Sequence, residues 1–297
     1  MVTTRHASND GVGLAYHLYG RWMFWRPRLV LIQGVGFDAG GWNPVLRGLG
    51  RRFRLVVLDN RGVGNSDSPT DWYTVATMVA DVVAVLDAER ISAAHVLGVS
   101  LGGMVAQELA ISHPERVKRL VLVSTTSGWP LTYPLPAPSR RMLATAPVLP
   151  RKTALRRQVT NMMSRKSILA RPHLVEHMND YLRTRSHHPR SRRRQMVAGA
   201  TYVGGLRQHR IRAETLVLHG SADTVADPRN AGLLTAQIPS ANQVTFADAG
   251  HLLSWEHPDR FCEVVTAFLR RSVTKRTVDT EPFLGRVHGT EAVPTRE

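Results

Sequence analysis

Apolar residues along the chain fall into short runs separated by polar, glycine-rich punctuation. Arg28-Leu29-Val30-Leu31-Ile32-Gln33 is a continuous apolar run ending at Gly34, the pattern of a strand buried on both faces. Phe53–Leu58, His95–Gly98 and Leu120–Val123 repeat it. Between these runs the period changes. Gly41–Leu49 is a short amphipathic stretch, Val75, Val79, Val82, Val83 and Leu86 mark one face of a helix, and Leu101–Ile111 reads as another. Thr4–Tyr19 reads as a hairpin with Asp10-Gly11 as its turn. Buried strands alternating with helices predict an α/β fold, a mostly parallel, doubly wound sheet covered on both faces.

The alternation breaks after Ser124. Six prolines (130, 134, 136, 138, 147 and 150) predict a segment that continues neither strand nor helix. From Thr153 to about Gly205 the apolar and arginine positions fit three or four short helices. Strands resume at Thr215–Gly220 and Gln243–Phe246, and Phe261, Val264, Val265, Phe268 and Leu269 give the spacing of a last amphipathic helix. Ser272–Glu297 is polar and aperiodic, and reads as a mobile tail. The predicted organisation is an α/β core over 1–127 and 213–272, a helical, Arg-rich insertion over 128–212, and a tail over 273–297.

The 297 residues are 43% hydrophobic and 21% charged, which excludes a mainly disordered or collagen-like chain. No apolar run approaches the roughly 20 residues that a transmembrane helix needs. The start lacks the apolar region of a secretory signal, and the lone Cys262 has no partner for an internal disulfide, so a cytoplasmic location is expected. The formal charge of +16 changes the picture more. Ser139–Arg212 holds 18 basic residues against Glu176 and Asp180, a balance of +16, so the rest of the chain is neutral. The surplus thus lies in the insertion.

The candidate chemistry begins at Gly98-Val99-Ser100-Leu101-Gly102, between a predicted strand and a predicted helix. A serine hydroxyl becomes a nucleophile when it is exposed, poised and next to a base. A strained strand-to-helix bend lifts Oγ clear of the sheet, and small neighbours avoid clashes within the bend. Asp223 and His251 each follow the carboxyl end of a later strand, on the sheet edge where Ser100 stands. Ser, Asp, His is the chain order of such an elbow. His251 is expected to take the Ser100 proton while Asp223 holds the imidazole tautomer. Asp227, directly before Pro228, is the rival acid and reads as a turn or N-cap residue. For the oxyanion, the expected donors are the backbone N–H groups of Leu101 and Val35, with Gly36 as the alternative to Val35.

These residues sit among others that carry a resemblance. Leu58-Asp59-Asn60-Arg61-Gly62-Val63-Gly64-Asn65-Ser66-Asp67, the elbow continued to Gly103, His113-Pro114-Glu115-Arg116-Val117, and Gly250-His251 followed by Glu256-His257-Pro258 together resemble the α/β-hydrolase-fold proteins. The resemblance covers about residues 5–272. Esterases, 3-oxoadipate enol-lactonases and cofactor-free haloperoxidases are the subgroups most similar in these motifs. It implies a helical cap where Pro130–Arg212 lies, and a serine hydrolase cleaving a carboxylic ester, lactone or thioester through an acyl-enzyme, with no metal or organic cofactor. Gly34, Gly36, Phe37, Trp129 and Leu252 are expected to line the substrate site. The alternatives are perhydrolysis or acyl transfer on the same triad, and a non-catalytic member that binds a small ligand.

Two positions depart from relatives. Many have His-Gly where this chain has Gln33-Gly34, so the hydrogen bonding behind the oxyanion loop must differ. Carbon–carbon bond hydrolases often carry Trp directly after the histidine, where Leu252 stands here. Epoxide hydrolases and haloalkane dehalogenases use Asp as nucleophile, and Ser100 argues against both.

Other features have plainer readings. Gly34-x-Gly36-x-x-x-Gly40 imitates a dinucleotide fingerprint with the wrong spacing. Asp59, Arg61, His113 and His219 read as structural residues, and His187-His188 lacks the acidic or cysteine partners of a metal site. Arg190-Ser191-Arg192-Arg193-Arg194 has no interleaved aromatic residues to stack on bases, so it reads as a solvated surface and nucleic-acid binding is not expected. Steering of anionic substrates is a further reading of the basic insertion. Trp22-Met23-Phe24-Trp25 is an apolar run with three possible partners: the tail, another subunit or a lipid surface.

Overall fold

A computed structural model describes residues 2–20, 24–145, 148–184 and 189–271. The predicted hairpin is β1 (Val2–Asn9) and β2 (Val12–Tyr19), joined through Asp10 and Gly11, both at positive φ (48° and 75°) as the tight hairpin turn requires. Then follow β3 (Arg28–Ile32), α1 (Asn43–Gly50), β4 (Arg54–Leu58), α2 (Val75–Ala88), β5 (Ala94–Val99), α3 (Leu101–Ser112) and β6 (Val117–Val123). After the insertion come β7 (Glu214–Gly220), α9 (Arg229–Gln237), β8 (Ala241–Phe246), α10 (Leu253–Glu256) and α11 (Pro258–Leu269), the helices of the insertion taking α4 to α8. Short α10 and α9 were not predicted. The α9 pattern is too sparse, since only Asn230, Ala231 and Leu234 are buried along it.

The strands form one sheet in the order β1-β2-β4-β3-β5-β6-β7-β8. Pairing is antiparallel through β1, β2 and β4 and parallel elsewhere. Helices α2 and α3 cover one face, where Val30, Val56, Val82, Val96, Val105 and Leu120 meet. Helices α1 and α11 cover the other, where Leu29, Leu49, Leu55, Leu97, Val121 and Phe261 meet. Central β5 is buried at all six positions, which explains its uninterrupted apolar run. No described helix is long and apolar enough to cross a membrane.

The insertion between β6 and β7 contains α4 (Ala137–Thr145), α5 (Arg151–Met162), α6 (Arg165–Ala170), α7 (His173–Thr184) and α8 (Pro189–Ala200). The proline-rich segment therefore does hold a helix, contrary to expectation. Pro138 lies in the first turn of α4, where a missing N–H leaves no hydrogen bond unmade. A separate apolar cluster of Phe37, Met162, Met178, Tyr181, Leu252 and Trp255 fastens α5 and α7 to the core at the carboxyl edge of the sheet. Trp22, Met23, His187, His188 and the predicted tail over 273–297 lie outside the described residues, whereas Phe24 and Trp25 are exposed and pack edge-to-face.

One buried group makes stability pH-dependent. His95 on β5 is buried against Phe53, and burial, with Arg119 and Lys118 adding to it, pushes its pKa down to about 4. Unfolded, a histidine takes its proton near pH 6.5. Between these values the unfolded chain binds the extra proton. The stability from neutral His95 is thus complete above about pH 6.5 and falls as pH drops toward 4. Urea unfolding at pH 7.0 and 4.5 should show a smaller loss in His95→Leu than in the wild type. An equal loss in both would remove His95 as a cause.

Candidate active site

Ser100 joins β5 to α3 with φ 54° and ψ −118°, a left-handed conformation that costs a side-chain-bearing residue energy. Its surroundings hold it there. The Ser100 N–H donates to the Val123 carbonyl (2.9 Å), and its own carbonyl accepts from the Gly103 N–H (2.9 Å) and the Thr125 hydroxyl (2.7 Å). A Cβ on Gly98 would lie 2.2 Å from the Gly102 carbonyl oxygen, and one on Gly102 would lie 2.2 Å from that of Ile32. The glycines of the elbow are thus demanded by backbone that passes within contact distance. Ser100 is partly exposed, whereas Val99 and Leu101 are buried.

Beside the elbow runs the turn Gly34–Phe37, closed by the Phe37 N–H donating to the Gly34 carbonyl (3.3 Å), with Gly36 at φ 74°. A Cβ on Gly34 would stand 3.1 Å from Ser100 Cβ and 3.7 Å from its Oγ, so this turn borders the serine. Its N–H groups are not equivalent. Gly34 donates to Gln33 Oε1 (3.1 Å) and Gly36 to Gln195 Oε1 (2.8 Å). Among the described residues, no protein acceptor meets the N–H of Val35 or of Leu101. Gly36, the alternative donor in the sequence reading, is occupied. Gln33 supplies the different hydrogen bonding expected at this departure. Its side chain holds Gly34, and its carbonyl accepts from Asn60 Nδ2 (2.9 Å). Gln195 escaped the sequence reading, because it sits in an arginine-rich helix and acts on a loop 159 residues earlier.

Asp223 and His251 meet where β7 and β8 end. His251 Nδ1 lies 2.8 Å from Asp223 Oδ2, and both residues are buried. Asp223 Oδ1 accepts from the N–H groups of Val225 (2.7 Å) and Ala226 (3.0 Å), which fixes the carboxylate plane. Burial opposes charge on Asp223. The neighbouring His251 and His219 outweigh it and hold the carboxyl well below the usual carboxylate range. Asp227 is engaged elsewhere: it pairs with the Arg229 guanidinium (2.7 Å) and accepts from the Arg229 N–H (3.0 Å), the turn role expected of it. His219, expected to be only a strand-end residue, sets Nε2 3.1 Å from Asp223 Oδ2. The available signal was its position four residues before Asp223, at the carboxyl end of β7.

The insertion holds the histidine loop. The His251 N–H donates to the Met162 carbonyl (2.9 Å) at the end of α5. Buried Glu256 accepts from the N–H groups of Gly250 (2.9 Å) and Ser164 (3.1 Å). No hydrogen bond joins Ser100 Oγ to His251 in this structure. Phe37 stacks on Tyr181 (centroids 5.8 Å apart), and Gln33, Phe37, Val99, Leu252 and Trp255 line a narrow cavity beside His251. Trp129 is not among the residues that line this cavity. It is 64% exposed, and its backbone pairs with Tyr202 and Gly205 beyond the C-terminus of α8. Among the described residues, no three His, Cys, Asp or Glu side chains stand together to hold a metal ion.

Comparison with known proteins relates the chain to a family. The sequence profile of the alpha/beta hydrolase fold family matches residues 27–258. A 2-hydroxy-6-oxononadienedioate/2-hydroxy-6-oxononatrienedioate hydrolase of Burkholderia vietnamiensis is 30% identical over 270 residues, covering 88% of this chain and 93% of its own. A pimeloyl-[acyl-carrier protein] methyl ester esterase of Aeromonas hydrophila is 27% identical, covering 82% of this chain and 95% of its own. The crystal structure of a hydrolase from Pseudomonas aeruginosa superposes with a TM-score of 0.78 at 31% identity, covering 91% of this chain and 98% of that one.

Proposed function

The chain belongs to the alpha/beta-hydrolase fold family, and from that premise we propose that it is a serine hydrolase cleaving a carboxylic ester, lactone or thioester. The carrying observation is the strained Ser100 flanked by the N–H groups of Val35 and Leu101, which have no acceptor among the described residues. Ser100 Oγ attacks the carbonyl carbon as His251 takes its proton. The carbonyl oxygen gains negative charge and accepts from Val35 and Leu101, donors already in place that need no reorganisation. His251 returns the proton to the leaving oxygen or sulfur, and an acyl-Ser100 remains. Water, deprotonated by His251, attacks the acyl carbon and frees the acid and Ser100. Asp223 keeps the proton of neutral His251 on Nδ1, leaving Nε2 free to accept. The relative from Aeromonas hydrophila, named as an esterase, supports this reading.

Carbon–carbon bond hydrolysis is a second reading, favoured by the relative from Burkholderia vietnamiensis. Leu252, where such enzymes often carry tryptophan, weighs against it.

A p-nitrophenyl ester series from acetyl to long acyl chains should give turnover that peaks at one chain length. Acid quenching during turnover should leave the acyl mass on the peptide that contains Ser100. Turnover with the acyl group on another residue would overturn the nucleophile assignment. No turnover on any ester would overturn the general-ester reading.

A further inference from the structure

Helix α8 lies across the candidate site and turns one face toward it. Ser191 packs against Gly62, Gln195 bonds Gly36 N and, through Nε2, the Arg61 carbonyl (3.0 Å), and Gly199 sits over Leu101. Arg192 belongs to the same face, three residues before Gln195. Its Cδ, Cγ and Nε lie 3.7, 3.8 and 4.0 Å from the point where a Cβ on Gly36 would stand. Gly36 and Gly34 are two residues apart in one turn, and Gly34 borders Ser100, so their Cα atoms are at most about 7 Å apart.

The electrostatic setting of Arg192 is unusual for this chain. Arg207 forms a two-point pair with Glu108 (2.9 and 2.7 Å), Arg61 pairs with Asp81, and Arg229 with Asp227. Neighbouring Arg193 and Arg194 stand over the exposed ring of Trp72. Arg192 is half-buried, burial depresses its pKa, and no carboxylate among the described residues offsets that effect. A guanidinium withdrawn from water gains most from a planar anion that takes two of its N–H groups at once.

We infer that Arg192 binds a carboxylate carried by the substrate, so that the preferred substrates are carboxylate-bearing esters rather than neutral ones. The inference rests on Ser100 being the nucleophile. It differs from long-range steering by the basic insertion, because a contact ion pair in a half-buried site survives salt that screens exposed charges.

Two measurements test it. The first is hydrolysis of monoethyl dicarboxylates and O-acetyl hydroxy acids, each against its neutral counterpart of equal length. The wild type should favour the carboxylate-bearing member in kcat/KM. Arg192→Gln should lower that preference at least tenfold, mainly through KM, and Arg192→Lys should restore part of it. Arg165→Gln, which removes an exposed charge from the same insertion, should leave the preference unchanged, and 0.5 M salt should not abolish it. A preference for neutral esters, or equal effects of Arg192→Gln and Arg165→Gln, overturns the inference.

The second measurement is calorimetric binding of succinate through adipate, and of their diamides, to the Ser100→Ala protein. Dicarboxylate binding that weakens at least tenfold when Arg192→Gln is added supports the inference, and binding that does not change overturns it. Because this readout needs no turnover, absence of ester hydrolysis would count against the nucleophile reading alone.

Discussion

Ser100→Ala is expected to lower kcat for a good p-nitrophenyl ester by about 10⁶-fold, the loss seen when a triad serine is removed. The Ser100 hydroxyl makes no hydrogen bond to the described residues, so the same change should alter stability by no more than about 0.5 kcal/mol. Loss of activity would then reflect chemistry and not unfolding. Asp223→Asn should cost about 10⁴-fold, because an amide facing His251 Nδ1 favours the wrong tautomer and removes the charge that stabilises the imidazolium. Asp227→Asn should stay within about twofold, since Asp227 serves Arg229 and the start of α9. Steady-state kinetics on the three variants checks the set. A Ser100→Ala protein that keeps its activity would sink the proposed mechanism. If Asp227→Asn were the damaging change, the acid assignment would be wrong.

Gly102→Ala is expected to damage the fold severely. The new Cβ would stand 2.2 Å from the Ile32 carbonyl oxygen and 2.6 Å from that of Gln33, and neither backbone atom can rotate away as a side chain could. Strand β3 and helix α3 would have to separate, and β3 lies between β4 and β5 inside the sheet. The expected loss is about 3 kcal/mol or more. Gly232→Ala is the contrasting case, because Gly232 lies in α9 with no atom within 4 Å of its new Cβ. It should stabilise by about 0.5–1 kcal/mol through helix propensity. Urea unfolding measures both. A Gly102→Ala protein as stable as the wild type would show that the elbow packs less tightly against β3 than these distances state.

The elements that the sequence made legible are those whose pattern is local. Uninterrupted apolar runs announced β3 to β6 because each strand is buried on both faces, and the Gly98–Gly102 bend was readable because its small residues stand at a fixed spacing around Ser100. The proline-rich segment misled because proline stops a helix only from within, and Pro138 stands in a first turn.

By itself, then, the sequence determined the parallel sheet, the elbow at Ser100 and the strand ends that bear Asp223 and His251. The sequence also favoured Asp223 over Asp227, four residues further on, and tertiary structure sets Asp223 against His251. Tertiary structure alone left Val35 and not Gly36 with an unengaged N–H, through a glutamine from the insertion. It also seated Arg192 against the Gly34–Phe37 turn and Glu256 between the histidine loop and α6. The physical reason is that burial and backbone conformation leave a periodic trace along the chain, whereas a hydrogen bond across 159 residues depends on how two separately formed elements pack.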